Sequence, residues 1–332
     1  MASRVNVANS DQLPLQISGG LIPAVPVPFD SGHKLHSKAH DSYLRYMSSQ
    51  PIAGVAVWAH TGRGLFLPDE VAQTVLVGWR EALPNKTLIA GVGARVDDLS
   101  SDKAVAATIE MAERAAKFGA DALLVYPPNW LRHVEDRDRL IVEFHSQLSR
   151  LGLPLVLFYL YEAAGGINYT SAVLDELLSM EGVAGIKVAT LDSVMTYQDI
   201  ARQIQLKYPN KLLITGEDRF LGYSLQRGAK AALIGMGAVC GELQSELITA
   251  HIEGNAQRFI ELSNAVDKLA ETLFIDPMEG YIGRILWALV QQGVIPREAA
   301  YDPWGPQLNP EEFEIIGKVV EEISPSHIHQ GF

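Results

Sequence analysis

Lysine is the side chain that says most about chemistry in this sequence. Lys34, Lys103, Lys117 and Lys268 stand in polar or helical-surface contexts, where a solvated ammonium is the expected state. Lys187 instead interrupts the apolar run Val183-Ala184-Gly185-Ile186-Lys187-Val188-Ala189-Thr190. An ammonium inside such a strand points either into a helix layer, which is unfavourable, or into the mouth of a barrel. Desolvation lowers an amine's pKa and frees its lone pair to attack a carbonyl, the first step toward a Schiff base. The competing reading is a buried structural ion pair. Lys230 follows Arg227-Gly228-Ala229 at a strand entrance and reads as structural.

Two other segments carry reactive groups. The run Leu155-Val156-Leu157-Phe158-Tyr159-Leu160-Tyr161 ends in two tyrosines, followed by Glu162 and, after two alanines, Gly165-Gly166. A strand-end tyrosine beside a Schiff-base lysine can shuttle protons to and from a substrate hydroxyl. Taken alone, it would be read as core packing with a hydrogen-bonded phenol. The segment Trp58-Ala59-His60-Thr61-Gly62-Arg63-Gly64 combines glycines with a hydroxyl residue, a pattern that can present backbone N–H groups to a carboxylate. His60 and Arg63 add polar and positive groups there. No His, Asp or Glu stands at ligand spacing from His60, so no metal is expected.

These groups need a scaffold that brings strand ends together. Short apolar runs recur at Leu21–Phe29, Gly54–Ala59, Thr87–Gly93, Ala122–Pro128, Pro154–Leu160, Gly185–Thr190, Lys211–Glu217 and Ala231–Gly237. They are aliphatic on both faces, as parallel strands covered on both sides are. Amphipathic stretches such as Lys103–Phe118, Glu135–Arg150 and Thr170–Met180 separate them. Eight strand–helix alternations predict an α/β fold, a (β/α)8 barrel over residues 19–241, with active-site groups at the strands' C-terminal ends. A doubly wound sheet is the runner-up, but no glycine-rich loop follows the first strand. From Glu242 the pattern turns helical and reads as a C-terminal extension over 242–323. Residues 1–18 are expected to be a flexible segment and 324–332 a frayed tail.

Composition narrows the function. The chain has 332 residues, 27 Lys+Arg against 39 Asp+Glu, a net charge of −12 and one cysteine, Cys240. Such acidity argues against nucleic-acid or anionic-membrane partners, and a lone cysteine excludes a disulfide scaffold. No apolar run reaches membrane-spanning length and Met1–Ser18 lacks a signal-peptide centre, so a cytoplasmic protein is expected. A nicotinamide cofactor would need a glycine fingerprint that is missing.

The Gly-Ile-Lys-Val-Ala-Thr stretch at 185–190, with a strand-end tyrosine 28 residues before the lysine, resembles the dihydrodipicolinate synthase/N-acetylneuraminate lyase family of class I aldolases and lyases. Ile22-Pro23-Ala24, Leu88–Gly93, Gly119–Leu123 and Thr215-Gly216-Glu217-Asp218 support the likeness, which runs from about Gly19 to Ile323. The resemblance implies that Lys187 forms an imine with a 2-oxo acid such as pyruvate, and that Tyr159 relays protons. It also implies that Thr61 and Gly62 hold the substrate carboxylate, that no cofactor beyond the lysine is needed, and that the chain forms a homo-oligomer, a dimer or tetramer.

Departures from the family pattern accompany it. Trp130 stands where a second relay tyrosine is usual, and Ala164 where dihydrodipicolinate synthase has a carboxylate-binding arginine. His60, Arg63, Trp130, Tyr161, Glu162 and Asp218 are then the groups expected to read the substrate. The apolar residues Phe66, Leu67, Trp130 and Leu131 suggest an interface. Three functions remain open at this point: a Schiff-base lyase making or breaking a carbon–carbon bond, a dehydratase on a 2-keto-3-deoxy sugar acid using the same imine, and a barrel-fold binding protein without catalysis.

Overall fold

The structure, a computed structural model, describes residues 12–95 and 101–323. The chain opens with α1 (Gln12–Ile17), β1 (Leu21–Pro23), α2 (Ser37–Ser48), β2 (Gly54–Val57), α3 (Asp69–Ala82) and β3 (Thr87–Val92). It continues through α4 (Ser101–Lys117), β4 (Ala122–Val125), α5 (Arg137–Leu148), β5 (Leu155–Leu160), α6 (Ser171–Ser179) and β6 (Val183–Ala189). The barrel ends with α7 (Val194–Lys207), β7 (Leu212–Thr215), α8 (Leu221–Gln226) and β8 (Ala231–Ile234). Four further helices follow, α9 (Gly241–Ile252), α10 (Ala256–Leu273), α11 (Tyr281–Gln291) and α12 (Glu311–Glu322).

The eight strands pair in parallel in the order β1-β8-β7-β6-β5-β4-β3-β2, and a parallel bridge between Ala24 and Ala56 closes β1 on β2. This is the (β/α)8 barrel that the strand rhythm predicts. The first strand is shorter than its apolar run, because Pro23, Pro26 and Pro28 have no N–H to give a ladder. The segment read as flexible is partly ordered: α1 buries Leu13 and Ile17 in the same apolar cluster as the barrel interior, covering its N-terminal end. Residues 1–11 and the expected tail at 324–332 lie outside the described residues.

Two apolar layers divide the strand residues by parity. Val156, Phe158 and Leu160 of β5 belong to the barrel interior, whereas Leu155, Leu157 and Tyr159 pack outward against the helices. On β6, Ile186 and Val188 face outward. Between β5 and β6 the register slips by one: Leu155 pairs with Val183, but Val156 pairs with Gly185, leaving Ala184 as the extra residue. A one-residue slip exchanges the faces of everything beyond it. Phe158 is therefore the register partner of Lys187, and Tyr159 pairs with Val188.

The expected interface changes in part. Leu67 and Leu131, offered as part of an interface, are buried within the chain, and Trp130 packs edge-on against Phe144 at 5.3 Å. Among the described residues no helix is long and apolar enough to cross a membrane.

Candidate active site

Lys187 lies midway along β6 with its side chain in the C-terminal half of the barrel, 6% exposed. Its room is made by Gly216 on the neighbouring strand end. A Cβ at Gly216 would come within 2.6 Å of Lys187 Cε. The ammonium nitrogen stands 4.3 Å from the centroid of the Phe158 ring. Among the described residues no carboxylate pairs with it within 4.0 Å, so the ion-pair alternative is not what the fold builds. Burial lowers its pKa, opposed by the charges of Asp218 and Glu217. Near neutral pH a fraction of the amine is free to act as a nucleophile.

A small cavity surrounds Lys187. His60 and Thr61 form one wall, Phe158 and Tyr161 another, and Glu217 and Asp218 a third. Tyr281, from the start of α11, completes it. Glu217 accepts hydrogen bonds from Thr190 N–H at 2.6 Å, the Thr190 hydroxyl at 2.9 Å and Leu191 N–H at 3.1 Å. Burial still pushes its carboxyl up to about 7. Asp218 accepts from Met236 N–H at 2.7 Å, and burial raises it as well, against the pull of that bond and of Lys187.

The turn after β2 is fixed by close backbone packing. A Cβ at Gly64 would lie 1.8 Å from the Trp58 carbonyl oxygen, and that oxygen accepts the Tyr126 hydroxyl at 3.0 Å. Trp58 and Arg63 both take positive φ, 54° and 51°, an uncommon backbone state that gathers at functional turns. Within the turn, the N–H groups of Gly62 and Gly64 go to Ala59 O, and that of Arg63 to His60 O. Those of His60 and Thr61 remain at its open N-terminal end, beside the buried Thr61 hydroxyl. Gly62 thus gives close packing, not a donor as expected: a Cβ there would meet Val25 O at 2.9 Å.

Three sequence expectations are corrected. Tyr159 is not in the cavity. Sharing the outward face of β5 with Leu155 and Leu157, it lies on the helix side, where its ring packs on Tyr169 and its hydroxyl donates to Asn168 Oδ1 at 2.6 Å. The extra residue Ala184 on β6 sets Lys187 level with Phe158. Arg63 does not offer free positive charge at the mouth. Its guanidinium is 7% exposed and bound by Asp302 at 2.7 Å and Glu279 at 2.8 Å, whose hydrogen bonds and charges outweigh burial and hold it protonated. Trp130 lines an adjoining outer cavity whose lining does not include Lys187.

Thr61, His60 and Tyr161 do meet Lys187, with Asp218. Sequence reasoning missed Phe158, Glu217, Glu279 and Tyr281 as site residues. Glu217 follows a strand end and was findable by that rule, but nothing local marks Tyr281, some 220 residues from Thr61.

The comparisons agree with this fold. The Dihydrodipicolinate synthetase family model matches residues 17–322. N-acetylneuraminate lyase from Citrobacter koseri is 26% identical over 260 residues, 76% of this chain and 81% of that one. N-acetylneuraminate lyase 2 from Escherichia coli is 22% identical over 317 residues, 93% and 95% of the two chains. Among solved structures, dihydrodipicolinate synthase from Thermotoga maritima shares the fold with a TM-score of 0.81 at 18% identity, over 93% of this chain and 99% of that one. With the family match spanning the barrel and the C-terminal helices, and an amine buried in the barrel mouth, the chain belongs to the dihydrodipicolinate synthetase family and is a lyase of the Schiff-base kind.

Proposed function

We propose that this lyase acts on pyruvate or a closely related 2-oxo acid, held as an imine on Lys187, and makes or breaks a carbon–carbon bond. The observation that carries the reading is the pairing of an amine of lowered pKa with the Thr61 turn across one small cavity. The turn offers the N–H groups of His60 and Thr61, donors suited to a carboxylate. The amine faces the position a neighbouring carbonyl would take. Neutral Nζ attacks that carbonyl carbon, water leaves, and the resulting iminium accepts the electron pair of an adjacent bond as it breaks.

The charge balance favours local over global attraction. A chain of net charge −12 repels an anionic substrate at long range, and Arg63 is already neutralised by two carboxylates. The two N–H groups of the turn and Lys187 are left to hold the carboxylate. Borohydride reduction in the presence of pyruvate, followed by peptide mapping, tests the reading. An adduct on Lys187 is expected, and an unmodified Lys187 would overturn it. Analysis of products from candidate 2-keto-3-deoxy sugar acids then separates bond cleavage, which releases pyruvate, from dehydration, which keeps the carbon count.

A further inference from the structure

With Tyr159 turned away from the cavity and Phe158 in its place, the imine has no proton-transfer group on β5. The structure offers a different one. The Tyr281 hydroxyl lies 3.0 Å from Thr61 Oγ1 and 3.0 Å from His60 Nδ1. On the far side of the imidazole, His60 Nε2 lies 3.4 Å from Glu279 Oε1. The Glu279 carboxylate is itself gripped by Arg63 at 2.8 Å. Phe274 stacks on Tyr281 at 4.7 Å, and the His60 ring lies nearly parallel to it at 15°, so the phenol has little freedom to turn.

The hydrogen positions in this chain follow from its far end. Burial pushes His60 down to about 4, against the pull of Glu279, so its ring is neutral near pH 7 and carries one N–H. The negative carboxylate beside Nε2 favours the hydrogen on that nitrogen, and Nδ1 is then the acceptor. Tyr281 therefore donates to His60 and accepts from Thr61. His60 lines both the Lys187 cavity and the outer cavity, so the same ring faces substrate and solvent.

We infer that Tyr281 and His60 form the proton relay of this enzyme, and that Glu279 positions His60 for it. The inference rests on the imine reading above. When the Lys187 iminium loses a proton from the carbon beside it, the C–H electron pair becomes the C=C bond of an enamine. The iminium π pair moves onto nitrogen. The departing proton goes to the Tyr281 oxygen as the phenol's own proton passes to His60 Nδ1, and the doubly protonated ring is held by Glu279. Because burial disfavours the charged ring, it is a transient carrier, and the reverse movement reprotonates the enamine carbon or a developing alkoxide.

Pyruvate in D₂O tests the relay without knowledge of the second substrate. The intact protein should exchange the pyruvate methyl protons for deuterium, read by proton NMR, and should be trapped on Lys187 by borohydride. Tyr281→Phe and His60→Gln should each slow exchange by about 100-fold or more, the size of a lost general acid–base group, while trapping on Lys187 persists. Trapping in a variant shows that the fold and the imine survive. Exchange at the parental rate in both variants would overturn the relay but leave the imine reading intact. So would trapping without exchange in the parent, or loss of trapping in both variants, which would make the pair necessary for imine formation or folding. No trapping in the parent protein would overturn both readings.

Discussion

Lys187 Nζ stands 4.3 Å from the centre of the Phe158 ring, and the two residues are register partners across β5 and β6. The ring face favours the ammonium, while the burial it contributes to disfavours it. Replacing Phe158 by Leu keeps an apolar wall but removes the ring face. The lysine pKa should then fall further. A cation–π contribution of about 0.5–2 kcal/mol corresponds to a downward displacement of roughly 0.4–1.5 pH units in the pH profile of pyruvate trapping. An upward displacement would mean that the ring acts on Lys187 mainly by excluding water.

Tyr159→Phe separates the register seen in the structure from the one implied by spacing. Its hydroxyl bonds Asn168 on the helix side, so the variant should trap pyruvate on Lys187 at the parental rate. Losing that hydrogen bond should cost about 1 kcal/mol in urea unfolding. A hundredfold loss of turnover with unchanged stability would put Tyr159 back at the substrate.

These two residues show what could be read from the chain. The barrel was legible because strands buried on both faces are continuous apolar runs, and Lys187 was legible because a charge inside such a run has few places to go. The role of Tyr159 was misread because 28 residues between tyrosine and lysine fits the pairing of Leu155 with Val183, before the slip at Ala184. Nothing in Val183-Ala184-Gly185 announces a bulge apart from the glycine, which strands often carry for other reasons. Tyr281, Glu279 and Asp302 stayed invisible because their partners lie more than 200 residues away and are set only by how α11 and the chain after it return to the barrel mouth.

Arg63 gives a third prediction. Its guanidinium and the Asp302 carboxylate are both nearly buried, 2.7 Å apart. Arg63→Met leaves that carboxylate buried without its partner, and removing one member of a buried pair costs about 3–5 kcal/mol. Urea denaturation should show a loss of this size, and adding Asp302→Asn should recover part of it. Undiminished stability together with weaker pyruvate binding would instead assign Arg63 to the substrate.

Glu217 makes stability depend on pH in a defined window. Burial raises its carboxyl from 4.5 to about 7 in the folded protein, although three donors from Thr190 and Leu191 surround it. Between those values the folded chain keeps a proton that the unfolded chain has released. The unfolding free energy therefore falls as pH rises through the window, and the contribution is complete only below pH 4.5. The difference between the two values corresponds to on the order of 3 kcal/mol. Glu217→Gln has no proton to lose, so titrating groups beyond its reach cancel when variant and parent are compared at the same pH. Lys187 and Asp218 add only the change in their coupling to it. The stability of the variant relative to the parent should rise by about that amount from pH 4.5 to pH 8, measured by urea unfolding at several pH values. A relative stability that stays flat over this range would show that the hydrogen bonds from Thr190 and Leu191 fully offset the burial and that Glu217 is ionised throughout.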